Sequence, residues 1–235
     1  WLAPEFDRFR LDELKLDVDA TGRAIPGTKQ LRLQGNLAYE LDRKLAEFSD
    51  VALKLGSLDA TGKLSLRHST IPELRFNLNT ALLDVDALQA EWRTTPVAVS
   101  SDDQAAVSAA APTSALPSSI AAGEPDLSAL KGIKVEGQLA ADKVLVQGVE
   151  LEQLDIRINI DQGKVKLDQI QAQLYEGKIE ASGELDVNTH PARFRVQKTL
   201  TGVNARDLLT AAAGIDYLEG RADLSLDLRG TGLTA

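Results

Sequence analysis

Apolar and polar residues alternate with a period of two through most of this 235-residue chain. Only an extended backbone sends successive side chains to opposite faces, so the pattern selects strands and leaves little room for helices. Leu14, Leu16, Val18 and Ala20 form one such run before a Thr21-Gly22 turn. Leu31, Leu33, Gly35, Leu37, Tyr39 and Leu41 form the next, with Arg32, Gln34, Asn36 and Glu40 on the other face. Val51, Leu53 and Leu55 follow, then Leu58 to Leu66, then Leu74, Phe76 and Leu78. The second half repeats the grammar through Ile133 to Leu139, Val144 and Val146, Leu154 to Ile160, Val165 and Leu167, Ile179 to Val187, Phe194 and Val196, and Ala222 to Leu228. After Leu167 the apolar positions change parity to Ile170, Ala172 and Leu174, which predicts a β-bulge at Asp168-Gln169 that keeps one face apolar. Short turns such as Asp161-Gln162-Gly163 and Glu176-Gly177 predict antiparallel pairing.

Helix signals are few. Asp86 is a candidate cap for a helix over Ala87 to Trp92, Asn204 for one over Ala205 to Ala213 stopped by Gly214, and a short turn fits Leu127 to Lys131. Residues 94–125 shift to Ala, Ser, Thr and Pro with almost no large apolar side chain. This is the composition of a flexible, removable linker or insert, which buries too little surface to offset its ordering entropy. It separates residues 1–93 from residues 126–235. An internal repeat links the two halves: Ala60-Thr61-Gly62-Lys63-Leu64 matches Ala181-Ser182-Gly183-Glu184-Leu185. Each is followed by a turn with His and Pro (His68 and Pro72, His190 and Pro191), a strand with Phe (Phe76, Phe194) and a helix cap.

The charge balance is 26 basic against 35 acidic residues, a net −9, which argues against nucleic acid as a partner. The absence of Cys excludes disulfides, thiolate metal sites and cysteine nucleophiles. Asp17-Val18-Asp19-Ala20-Thr21-Gly22 opens like a calcium loop, but its twelfth position is Thr28 rather than an acid. Gly56 to Lys63 lacks phosphate-loop spacing, and no nucleophile elbow is present. His68 and His190 read as solvated turn residues. The expectation is a nonenzymatic protein with no cofactor and no metal. No run of apolar residues is long enough for a membrane-spanning helix. The chain starts at Trp1 and contains no Met, so it reads as a segment of a longer protein.

Roughly a dozen half-apolar strands against about three short helices pose a covering problem. Either the sheet closes as a sandwich or barrel, or part of its apolar face stays open to bind something apolar. A membrane barrel would carry aromatic girdles, and this chain is 4% aromatic. Asp161-x-Gly163-Lys164-Val165-x-Leu167, then Ala172-Gln173-Leu174-Tyr175-Glu176-Gly177, then Gly183-x-Leu185, then Leu200-x-Gly202-Val203 with Leu208-Leu209, resemble the C-terminal region of the AsmA family of Gram-negative envelope proteins. The resemblance is strongest from Leu127 to Gly232 and extends in weaker form from Leu31 to Leu88.

What the resemblance implies is a mainly β protein, an elongated, twisted antiparallel sheet forming a repeating groove with a few short helices. The implied function is a bridge-like conduit that carries phospholipid, or another acyl-chain lipid, between inner and outer membrane and supports outer-membrane assembly. The implied location is the periplasm, with attachment to the inner membrane through an anchor outside this sequence and with envelope proteins as further partners. The lipid contacts would be the inward apolar positions Leu31, Leu33, Leu37, Leu53, Leu64, Leu66, Phe76, Leu139, Val146, Ile156, Ile158, Val165, Leu167, Leu174, Ile179, Leu185, Leu224 and Leu226. The alternative is a closed-core structural or protein-binding β module acting in outer-membrane protein assembly.

Overall fold

A computed structural model describes residues 7–22, 25–93 and 127–232. The alternating runs become the strands β1 (Arg8–Gly22), β2 (Ile25–Glu40), β3 (Leu45–Leu55), β4 (Leu58–Arg67) and β5 (Glu73–Asp84). Helix α1 (Val85–Arg93) closes this half. A short 3-10 turn (Ser128–Gly132) leads into β6 (Lys134–Val146), β7 (Val149–Asp161), β8 (Lys164–Leu174), β9 (Gly177–Asp186) and β10 (Arg193–Asn204). Helix α2 (Ala205–Ala213) and β11 (Arg221–Thr231) complete the described chain. All eleven strands form one sheet in sequence order, so the described residues on either side of residues 94–125 contribute to a single surface. At about 4.8 Å per strand spacing, the sheet is roughly 48 Å across. Among the described residues β1 and β11 are its edges, and no pairing between them closes a barrel.

Every neighbouring pair is antiparallel except β5 and β6, which run parallel from Glu73↔Lys134 to Asp84↔Leu145. A hairpin cannot make a parallel pair, so β5 and β6 are not hairpin neighbours. Glu91 near the end of α1 still accepts the Ser57 N–H at 3.3 Å, at the end of the sheet where β5 finishes. The Lys134 N–H donates to the Pro72 carbonyl at 2.9 Å, at the end where β5 starts. Twelve strand residues at about 3.3 Å each separate these ends by roughly 40 Å. Residues 94–125, the expected linker, lie outside the described residues.

The parity change after Leu167 is a register shift between Leu167 and Ile170, as the alternation predicts. Similar shifts interrupt β1 between Leu11 and Leu14, β3 between Phe48 and Val51, and β7 between Glu152 and Asp155. Glu13, Asp50 and Gln153 take positive φ there, absorbing the extra residue. The β6–β7, β7–β8 and β8–β9 hairpins are two-residue loops with both φ values positive, at Gln147-Gly148, Gln162-Gly163 and Tyr175-Glu176. Such turns match the right-handed strand twist.

Asn204 caps α2, accepting from the Arg206 N–H at 3.1 Å, and Gly214 ends the helix at φ 68°. The α1 cap differs from expectation. Asp84, not Asp86, accepts the Ala87 N–H at 2.8 Å, because the helix begins at Val85. Asp86 instead accepts the Gln147 N–H at 2.9 Å, tying α1 to the β6–β7 turn.

Both helices sit at the same end of the sheet, on its apolar face. Val85 and Leu88 of α1 pack on a core of Leu83, Ala141, Val144, Leu154 and Ala172, while Leu208 of α2 packs on Leu174, Leu200 and Val203. Gly177, which opens β9, explains part of the Leu-Tyr-x-Gly element. A Cβ there would lie 2.5 Å from the Val203 backbone nitrogen and 2.6 Å from the Thr201 carbonyl oxygen, so β10 has to move to admit one. Gly177→Ala should therefore cost about 1–3 kcal/mol of stability, the range for overpacking. Urea unfolding checks this, and an unchanged midpoint would show that the close approach is not tight.

Candidate functional site

The register aligns the apolar positions of all strands into rows that cross the sheet. The row farthest from the helices reads Phe9, Tyr39, Ala46, Leu66, Leu74, Val135, Ile160, Val165, Leu185, Phe194 and Gly230. The second reads Leu11, Leu37, Phe48, Leu64, Phe76, Gly137, Ile158, Leu167, Gly183, Val196 and Leu228. A third passes through Val51, Gly62, Leu78, Leu139, Ile156, Ile170, Ala181, Lys198 and Leu226. The fourth comprises Leu16, Leu33, Leu53 and Ala60, then Thr80, Ala141 and Leu154, then Ala172, Ile179, Leu200 and Leu224.

The opposite face carries the charges: Arg32 pairs with Asp17 at 3.2 Å, Arg75 with Glu136 at 3.4 Å and Lys166 with Glu184 at 3.8 Å. These exposed pairs add little stability individually but make that face water-loving.

Two phenylalanines shape the floor. Phe76 lies over Gly137 on the next strand and Phe194 over Gly230; a Cβ would meet the rings at 2.2 Å and 2.5 Å respectively. The internal repeat is thus reproduced in packing as well as in sequence, with Gly62↔Leu78 and Leu64↔Phe76 in β4–β5 matching Gly183↔Val196 and Leu185↔Phe194 in β9–β10. The glycines keep the trough open beneath the rings. Above β8 to β11 an apolar cleft of about 580 Å³ is lined by Val165, Leu167, Leu185, Phe194 and Val196. That volume is within the ordinary range for small-molecule sites.

Coverage is uneven. The helix end is packed, with Val203 and Val51 fully buried, whereas Leu66, Val196 and Leu228 are 41%, 39% and 49% exposed. The edge strands leave Phe9, Leu11, Leu16, Leu224 and Leu226 exposed as well. These exposed residues continue the rows across strands rather than being scattered singly, which is the arrangement in which apolar exposure carries meaning.

All eighteen proposed contact residues fall on this one face. Leu66, Val165 and Leu185 lie in the first row, and Leu37, Leu64, Phe76, Ile158 and Leu167 in the second. Leu139, Ile156 and Leu226 lie in the third, and Leu33, Leu53, Ile179 and Leu224 in the fourth. Leu31, Val146 and Leu174 lie nearest the helix end, where Leu31 pairs with Leu55, Val146 with Val149 and Leu174 with Gly177. Leu33 and Leu174 are buried, so they support the floor rather than form its open surface. The set lacks Phe9, Leu11 and Phe48, whose alternation is interrupted by bulges, and Phe194, Val196 and Leu228, whose alternation was visible. His68 and His190 are exposed in the β4–β5 and β9–β10 turns.

At the β11 edge, the Asp227 carboxylate accepts from Arg195 Nη2 at 2.7 Å and Nε at 3.2 Å. This hydrogen bonding, with a further one from Arg229, lowers its pKa from 3.8 to about 2 against a smaller opposing effect of burial.

The AsmA family model matches residues 27–235, most of the chain, and the chain belongs to that family of envelope proteins. No curated protein and no solved structure matches it. Among the described residues no helix is long and apolar enough to cross a membrane.

A depressed carboxylate pKa contributes stability that is complete above the unfolded value near 3.9 and is lost as pH falls toward 2. Asp227→Asn should thus be less stable than the parent chain above pH 4, with the gap closing near pH 2. Urea midpoints across that range test the point, and a gap independent of pH would contradict the clamp.

Proposed function

We propose that this chain is a nonenzymatic segment of a phospholipid conduit, working between the inner and outer membranes in support of outer-membrane assembly. The observation that carries the reading is the second row, apolar or glycine on every one of eleven strands and left uncovered by the two helices, which cover the other end of the face. An acyl chain laid on such a surface gains about 0.8 kcal/mol for each CH2 group removed from water. Displacing it sideways by one strand, about 4.8 Å, exchanges one Leu, Ile or Phe contact for another. The energy profile along the trough is therefore nearly flat, and diffusion suffices for movement. A headgroup stays at the open side, so water need not be stripped from it. Attachment to the inner membrane belongs, on this reading, to a segment outside the sequence, and neither a cofactor nor a metal takes part.

Among the described residues the sheet does not close on itself, which fits an open conduit better than a closed-core binding module. The family supports an envelope role of this kind.

Ile158 and Leu167 pair directly across β7 and β8 in the middle of the row, and both are half-buried. The Ile158→Glu, Leu167→Glu double variant should fold with near-normal circular dichroism, because the charges there reach water when lipid is absent. It should lose the phospholipid that mass spectrometry recovers from the parent protein. Recovery of no phospholipid from the parent above a matched control, or full loading of the folded double variant, would contradict the proposal.

A further inference from the structure

The apolar face carries one charged side chain in the four rows, Lys198 on β10. It follows Val196 and precedes Leu200 on the same face, opposite Ala181 of β9 and Leu226 of β11. The pairing of β9 with β10 runs unbroken from Arg193 to Thr201, so no bulge turns Lys198 to the other side. The neighbouring acids Glu180, Glu184, Asp223 and Asp227 alternate with the apolar positions of β9 and β11 and belong to the opposite face. Lys198 makes no ion pair among the described residues. A lysine on an apolar surface lays its stem along that surface and brings its ammonium to water with no protein carboxylate to meet it.

The internal repeat sharpens the contrast. Lys198 stands two residues after Val196, and Thr80 stands two residues after Leu78, which is the matching position. Both halves thus place a polar group at the same position of the repeat, Thr80 in the fourth row and Lys198 in the third. The Thr80 hydroxyl is satisfied within the protein, 2.7 Å from the Asp59 carbonyl oxygen and 2.9 Å from that of Leu82, and the residue is buried. The Lys198 ammonium has no such partner and is only half-buried.

We propose that Lys198 reads the anionic headgroup of a lipid lying on this face, so that this half of the trough favours phospholipids of net negative charge. The inference rests on the conduit reading and names its substrate class. The four-carbon stem lies along the apolar floor and carries the ammonium to the water boundary, the level at which a lipid phosphate rides. Ala181 and Gly183 are the small residues of β9 beside it and leave room for a headgroup. The cleft over Phe194, Leu185 and Leu167 reaches β10 at Val196, the same-face position just before Lys198, and receives the acyl chain of the same molecule. An ammonium and a phosphate at that boundary form a charge-assisted contact, partly screened by solvent.

The test loads the chain from vesicles of equimolar phosphatidylglycerol and phosphatidylcholine with identical acyl chains and measures the bound ratio by mass spectrometry. The parent chain should enrich phosphatidylglycerol about three- to tenfold, as expected for one such partly exposed contact. Lys198→Met should bind as much total lipid with the enrichment gone, and Lys198→Arg should keep it. Lys166→Met, on the opposite face, should behave as the parent does. Lipid bound by the parent without headgroup preference, or enrichment surviving in Lys198→Met, overturns the role of Lys198 and leaves the conduit standing. No lipid on the parent overturns both. Loss of the enrichment on adding inorganic phosphate at the lipid's own concentration marks a free-anion site and also overturns the proposal.

Discussion

Cross-strand register is the constraint on which this molecule depends. A strand slipped by one residue would turn its whole apolar set to the charged face, and among the described residues no second sheet lies there to bury what is misplaced. The rows from Phe9 to Gly230 and from Leu11 to Leu228 hold only because each irregularity is matched. Where β8 gains a residue after Leu167, Ile170 resumes the face and still meets Ala181. Where β5 and β6 are both irregular, the buried positions step together from Thr80 to Leu83 and from Ala141 to Val144. The bulges therefore preserve the surface, and they add the twist that bends a wide sheet into a trough.

A one-layer sheet also has to settle how much of its apolar face to bury. Here α1 and α2 seal one end, building a core around Val144, Leu154, Leu174 and Val203, while the middle stays uncovered. Packing and exposure occupy different parts of one face: the packed end fixes the strands, and the open rows leave apolar surface uncovered. The repeat of hairpin, Phe over Gly and terminal helix shows how such a trough can be lengthened unit by unit. The parallel junction between β5 and β6 joins two such units without interrupting the rows.

Much of this was legible in the sequence. Strict alternation announced nearly every strand, the change of parity after Leu167 announced its bulge, and Asn204 with Gly214 bracketed α2. The resemblance carried by Leu174-Tyr175-Glu176-Gly177 pointed to the family that the chain matches. What escaped has physical causes. The parallel pair was invisible because a strand buried or exposed on the same face has the same alternation in either direction. Phe48 and Leu11 were missed because the extra residues at Asp50 and Glu13 break period two beside them. Asp84 took the cap from Asp86 because the helix starts earlier than its apolar spacing suggests. Lys198 stood in plain view, yet its isolation appears only once the strands are set in register.

The central claim is that acyl chains touch one face of this sheet and not the other. A photo-crosslinking amino acid placed in turn at Leu64, Phe76, Ile158 and Leu167, and at the outward neighbours Ser65, Arg75, Asn159 and Lys166, measures that contact in intact cells. The account predicts phospholipid adducts from the four inward positions and none from the four outward ones. Equal labelling of both faces, or labelling of neither, would contradict it.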